Sequence, residues 1–147
     1  MTGIDHPVVT VGGHTLTVKF SLAAHLLMRR RGLDIRRIPS LIAPRLHADG
    51  VACLDHKCEQ AHVHNPDEES NVMQVFSCMV VHEFAKLDAP AATSLDAAPV
   101  ADYWAAIAED DDFVRIELAV WTALGKAVEA RRARLQAVPS PAVSLAS

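Results

Sequence analysis

Fourteen residues near the N-terminus, "PVVTVGGHTLTVKF" from Pro7 to Phe20, constrain the fold more than any other stretch. Val9, Val11, Leu16, Val18 and Phe20 alternate with polar or small residues, the period-two pattern of a half-buried strand. Gly12-Gly13 separates the two runs, and paired glycines meet the positive φ angles of a tight turn. The pattern predicts a β-hairpin over about residues 8–20.

Helical signals follow. Ser21 is placed to cap the amides of a helix beginning "LAAHLLMRRR", and Gly32 to end it in the left-handed conformation. Asp34 caps a short turn "IRRI" that Pro39 stops. Ser40 precedes "LIAPRLHADG", read as a second short helix with Pro44 in its first turn and Gly50 beyond its end. Residues 51–70 show no apolar periodicity and read as a loop of the length usually kept for function or mobility. Ser70 or Asn71 then caps "VMQVFSCMVVHEFAKL". There Val72, Val75, Phe76, Met79 and Val80 form one stripe, widened by Met73, Phe84 and Leu87. A small-residue linker, "DAPAATSLDAAP", leads to a short helix "VADYWAAIAE" and a long one from Phe113 to about Gln136. In the latter Phe113, Ile116, Val120, Leu124, Ala127 and Val128 share a face.

These elements describe a mainly α protein with a small N-terminal β-hairpin, an α+β class with four to five helices. A single domain is expected over 1–138, with the hairpin at about 8–20 and the helical part at 21–136. The tail 139–147 is Pro/Ser-rich and expected to be disordered. At 147 residues the chain is long enough to bury a core without disulfides or metal. Aromatics are few (four Phe, two Trp, one Tyr), so aliphatic side chains must supply most of the packing.

The net charge of −4 argues against a protein that coats nucleic acid through bulk charge. No apolar run approaches the roughly 20 residues needed to span a bilayer. The first residues lack a positive start followed by a hydrophobic stretch, and three cysteines suit a reducing compartment. A cytoplasmic location is expected.

The stretch "CLDHKCEQAHVH" packs two cysteines and three histidines into residues 53–64. Thiolates and imidazoles are zinc's preferred donors, and a structural site takes four in a tetrahedron. Cys53, Cys58, His62 and His64 supply the count, with His56 spare. Cys-x4-Cys fits, whereas His-x-His is tighter than in ordinary fingers and works only if the chain between is extended, so that alternate residues share a face. The alternative is an exposed polar loop. The spacing assigns no metal ligand.

Other features carry bland readings. "HEFAK", His82 to Lys86, begins like a zinc-protease motif, but Lys86 stands where the second histidine belongs and cannot coordinate zinc. His82 is read as a helix-surface residue and Cys78 as a small buried hydrophobe. "EDDD", Glu109 to Asp112, lacks EF-hand spacing, and Asp111 or Asp112 can cap the long helix. No phosphate loop or nucleophile motif appears. The chain is expected to be no enzyme, with no catalytic or cofactor-binding residues and no cofactor.

Arg29, Arg30, Arg31, Arg36, Arg37 and Arg45 concentrate positive charge within residues 29–45. They can attract phosphate, complement helix C-terminal dipoles, or face an acidic partner protein. Arg131, Arg132 and Arg134 fit the dipole account.

Two segments, "VVTVGGHTLTVKFSLAAHLLMRRRGLDIRRI" and "PVADYWAAIAEDDDFVRIELAVWTALGKAVE", together resemble tail assembly chaperones of long-tailed bacteriophages and prophages. The first is similar to that family's glycine-turned hairpin, Phe-Ser/Thr with a short apolar helix, and "GLD". The second resembles its short helix, acidic turn and long Ala-rich amphipathic helix. The basic "LLMRRR" and the Cys/His loop depart from the family pattern. The resemblance implies a non-enzymatic cytoplasmic protein that coats the helical tape-measure protein, yields to tail-tube subunits, and is absent from the finished particle. It corresponds to a short form where frameshifting makes two lengths. The alternative is a small zinc-stapled nucleic-acid-binding regulator using the Arg-rich segment 29–45. Self-association accompanies the first reading, and Met28, Met73 and Met79 are candidates either for an adaptable partner surface or for plain core packing.

Overall fold

Gly12 and Gly13 adopt φ of +56° and +85°. That double left-handed turn joins β1 (Val8–Val11) to β2 (His14–Thr17) in an antiparallel pair with Val11 opposite His14 and Val9 opposite Leu16. The computed structural model describes residues 6–55, 57–86 and 101–137. Val9, Val11, Leu16 and Val18 are all buried, so the period-two pattern does select one face, although ladder pairing stops at Thr17. Val18 extends the hairpin by one further bond to the Pro7 carbonyl.

Helix α1 (Leu22–Arg30) starts where Ser21 accepts the Ala24 amide at 3.0 Å and stops at Gly32, whose φ is +75°. Asp34 caps a 3-10 turn, Ile35–Arg37, as expected. The next segment departs from expectation. Pro39 does not stop this turn but opens α2 (Ile38–Ile42), because a proline in the first helical turn has no amide to waste. No helix covers 43–49. Pro44 drives Ala43 to an extended ψ of 139°, and the chain becomes β3 (Arg45–His47). The supposed loop 51–70 contains β4 (His62–His64), paired antiparallel with β3, and an extra bridge from Leu46 to Ala52.

Helix α3 (Glu68–Met79) begins two residues before Ser70, which does not cap it. Asn65 organises the start: its Oδ1 accepts the Asp67 amide and its carbonyl the Glu68 amide. The Asn71 side chain instead donates to the Leu41 carbonyl. The helix ends early, at Met79, whose carbonyl accepts the Lys19 amide, and a 3-10 turn (Val81–Lys86) follows. Glu83 in that turn is buried and takes the Thr17 amide at 2.9 Å, a role invisible in the sequence. Then come α4 (Ala101–Ile107) and α5 (Asp110–Ala137). Five α-helices and two small sheets are thus seen among the described residues, an α+β fold with its hairpin at the N-terminus. The linker around 88–99 and the tail 139–147 lie outside the described residues.

The core gathers the inner face of the hairpin, Leu27 and Met28 of α1, Ile38 and Ile42 of α2, the α3 stripe, Trp104, and Ile116, Val120 and Ala123 of α5. Met28, Met73 and Met79 are buried there, which decides for core packing over a partner surface. Asp112 does not occupy the cap position of α5. It sits in the first turn and reaches back to the Glu109 amide at 2.8 Å, the second half of a capping box, while Arg115 donates to it. Those hydrogen bonds hold its carboxyl below the usual range.

One contact between α3 and α5 is pH-dependent. Burial, then a hydrogen bond and charge from Glu68, with Glu69 adding, push the Glu117 carboxyl from the ordinary 4.5 up to about 7. The folded state therefore holds this proton more tightly than the unfolded chain. Its contribution is fullest below pH 4.5 and is lost as pH rises through 7. Glu117→Gln is expected to stabilise the fold at pH 8 by about 1 kcal/mol, a figure discounted for solvent screening. Thermal melts of both proteins from pH 4.5 to 8 check this. A wild-type minus variant difference that stays flat would refute it.

Candidate metal centre

The described residues of segment 44–64 contribute nothing to the hydrophobic core cluster. They form a β-ribbon, and two three-residue strands are too short to be stable unaided. Hydrogen bonds tie its base. The Asn65 side chain is inserted among the carbonyls of Leu41, Ala43 and Ser40, the Asn65 amide donates to Pro44, and Ser40 accepts the Ala52 amide. The far end needs another explanation.

At that end His47, Cys53, Cys58 and His62 converge, with one donor atom of each within 4.8 Å of all the others. Each is placed by a local device. His47 closes a turn in which its carbonyl accepts the Gly50 amide and its own amide donates to Val51, with Gly50 at φ +85°. Cys53 follows the Leu46–Ala52 bridge, and its amide donates to the Arg45 carbonyl. Asp55 then folds the chain back: its carboxylate accepts the Lys57 amide and its carbonyl the Cys58 amide. His62 lies opposite His47 in the β3–β4 ladder, their rings 5.1 Å apart. Cys53 is buried, and the other three are half-buried.

Three of the four residues considered in the sequence, Cys53, Cys58 and His62, belong to this cluster; His64 does not. The expectation that alternate residues of an extended His-x-His share a face overlooked distance. His64 sits one further pair along the ladder, opposite Arg45, and is exposed. The cross-strand neighbour of His62 is His47, and directly opposed side chains are the ones that touch in a sheet. His56 lies outside the described residues. His47 was missed because it falls before the Cys/His stretch, in a segment read as helix.

Two nitrogens in the cluster lack partners: His47 Nδ1 and His62 Nε2 are buried with no hydrogen bond. A buried imidazole nitrogen without a partner forfeits its hydration, and such groups call for an explanation. Burial first, then Arg45 and His47, lower the His62 pKa, which favours the neutral ring a metal needs. Two thiols and two imidazoles can hold a divalent cation, and a four-donor set leaves no position open for substrate.

The remaining candidates are dispersed. His82 is not a surface residue: only 19% of its side chain is exposed, beside Glu83. Cys78 is fully buried, and burial raises its pKa despite Arg31, so it is the inert small hydrophobe expected. The Arg-rich segment is not one uniform patch. Arg31 donates to Ser77 at 2.8 Å, Arg36 pairs with Asp34, and Arg45 reaches the Asp55 carbonyl. Arg29 and Arg36 line a cavity of about 450 Å³ with Arg131 from α5. No helix among the described residues is long and apolar enough to cross a membrane. The chain matches no family model, no curated protein and no solved structure.

Proposed function

We propose that this protein is a non-enzymatic, cytoplasmic tail assembly chaperone of the long-tailed phage kind, which holds the helical tape-measure protein until tail-tube subunits replace it. The observation that supports this reading is a second apolar face on α5. Its inner face, Ile116, Val120 and Ala123, is buried in the core. Outward, Val114, Leu118, Gly125, Val128 and Leu135 lie on a seam of alternating four- and three-residue steps whose remaining positions are Trp121, packed partly against the core, and Arg132. Val128, grouped with the inner face in the sequence, is exposed. Val114, Leu118 and Leu135 are each about two-thirds exposed. A seam with a 3.5-residue period is what one helix offers another, and apolar side chains left in water in such a row mark a contact surface. Gly125 is suited to close approach, since nothing lies within 4 Å of where its Cβ would be.

Co-expression with a tape-measure protein, the partner this reading implies, is expected to keep that protein soluble. Leu118→Glu, at an exposed site with little effect on folding, should abolish the rescue. Gly125→Ala should raise the stability of the free protein by about 0.5–1 kcal/mol, as glycine is a poor helix former, yet weaken binding. A partner that stays insoluble with the wild-type protein, or rescue unaffected by Leu118→Glu, would refute the assignment.

The four-donor cluster favours one half of the rival reading, a zinc-stapled nucleic-acid regulator. The engagement of Arg31 with Ser77 and of Arg36 with Asp34 weighs against its other half. Oligonucleotide binding that collapses with added salt would restore it.

A further inference from the structure

We propose that His47, Cys53, Cys58 and His62 bind one zinc ion as a closed tetrahedral site that serves as the core of the 44–64 ribbon. The inference is independent of the chaperone reading and holds or fails without it.

Four observations converge. The donor atoms already lie within 4.8 Å of one another, and a tetrahedral zinc with Zn–S of about 2.3 Å and Zn–N of about 2.0–2.1 Å needs them at roughly 3.3–3.8 Å. Small side-chain rotations close that gap. His47 Nδ1 and His62 Nε2 are buried without partners, and a metal supplies what the protein does not. The described residues of the ribbon add nothing to the hydrophobic core cluster, so that cluster does not hold Cys53 and Cys58 in place. Finally, two thiolates and two neutral imidazoles balance a divalent charge, which lowers the cost of a half-buried ion.

The donor set also selects the metal. A mixed sulfur and nitrogen tetrahedron suits zinc, which has no geometric preference of its own. Iron–sulfur clusters take four cysteines as a rule, and hard cations such as magnesium and calcium require oxygen ligands. With four protein ligands the ion has no vacant position, so its role is structural. Binding free energy at such a site is folding free energy for the segment that surrounds it.

The competing use of the same residues is a disulfide between Cys53 and Cys58, both free thiols here. Zinc analysis of the full-length protein purified under reducing conditions separates the two. About one zinc per chain is expected, together with a cobalt(II)-substituted form showing the intense visible bands of tetrahedral coordination and a thiolate charge-transfer band. His47→Asn should lose the metal and the cobalt spectrum, whereas His64→Asn should keep both. His47→Cys, which retains a ligand, should bind metal with stronger thiolate charge transfer. If His47→Asn fails to fold, the His64→Asn and His47→Cys proteins still decide the matter. Wild-type protein without zinc and without a cobalt spectrum would overturn the proposal, as would a Cys53–Cys58 disulfide in freshly purified protein. Loss of metal from His64→Asn would overturn the assignment of His47.

Discussion

Asn65→Asp is expected to destabilise the protein by about 3–5 kcal/mol, although it alters neither shape nor volume. Asn65 is 4% exposed. Its Nδ2 donates to the carbonyls of Ala43 at 2.9 Å and Leu41 at 3.0 Å, with Ser40 at 3.5 Å. These carbonyls end α2 and enter the extended turn into β3, so one amide group satisfies acceptors that no helical bond can reach. A carboxylate there has no hydrogen to donate. It would place an anion against three carbonyl oxygens in a buried site, and both desolvation and repulsion oppose folding. Protonation restores a donor, so the aspartate's folded pKa would rise above its unfolded value. The deficit should accordingly be largest at pH 8 and shrink as pH falls toward 4. Urea unfolding of both proteins at the two pH values measures it. A loss below about 1 kcal/mol at pH 8 would show that the carbonyls find other donors. Because β4, which carries His62, ends at the residue before Asn65, the substitution should also loosen the ribbon at its base and weaken zinc retention.

That residue marks the boundary of what could be read from the chain. Gly12-Gly13 announced the hairpin, and Ser21, Gly32 and Asp34 announced their caps, because each acts on backbone within three residues of itself. The inner face of α5 was legible for the same reason, since helical periodicity is local. Failures began where a choice depended on distant partners. Pro39 and Pro44 are both consistent with a helix start, and only the pairing of Arg45–His47 with His62–His64 shows that the second leads into a strand. Once that pairing was hidden, His47 could not be recognised as a donor, for its closeness to His62 is a matter of register rather than spacing. Glu83 and Asn65 belong to the same class. Each is a polar residue whose burial is paid for by backbone groups far away in sequence, Thr17 in one case and Ala43 in the other.

Trp104→Ala is expected to cost about 3–5 kcal/mol, a large part of the 5–15 kcal/mol typical of a domain. Helix α4 has seven residues, too few to persist without tertiary support. Among its described side chains Trp104 alone is buried, at 2% exposure, while Tyr103, Ala105 and Ala106 face solvent. The indole meets Phe76 of α3 edge-to-face at 5.9 Å and His14 of β2 at 6.1 Å. Such pairs add to the area they bury. The same helix brings Ile107 over the hairpin turn, so close that a Cβ on Gly12 would lie 2.7 Å from its Cδ1. Truncation at Trp104 thus removes the only buried anchor among the described side chains of α4, leaving half-buried Ile107 to hold the helix. Trp104→Phe provides the control. The indole Nε1 has no hydrogen-bond partner, so phenylalanine forfeits volume but no polar contact and should lose only about 1–2 kcal/mol. Urea unfolding followed by far-UV circular dichroism compares the variants without relying on the altered fluorophore. Equal losses for Ala and Phe would mean that the indole's outer ring, rather than its contact with Phe76, holds the helix; a loss under about 1 kcal/mol for Ala would mean that α4 is held by something else.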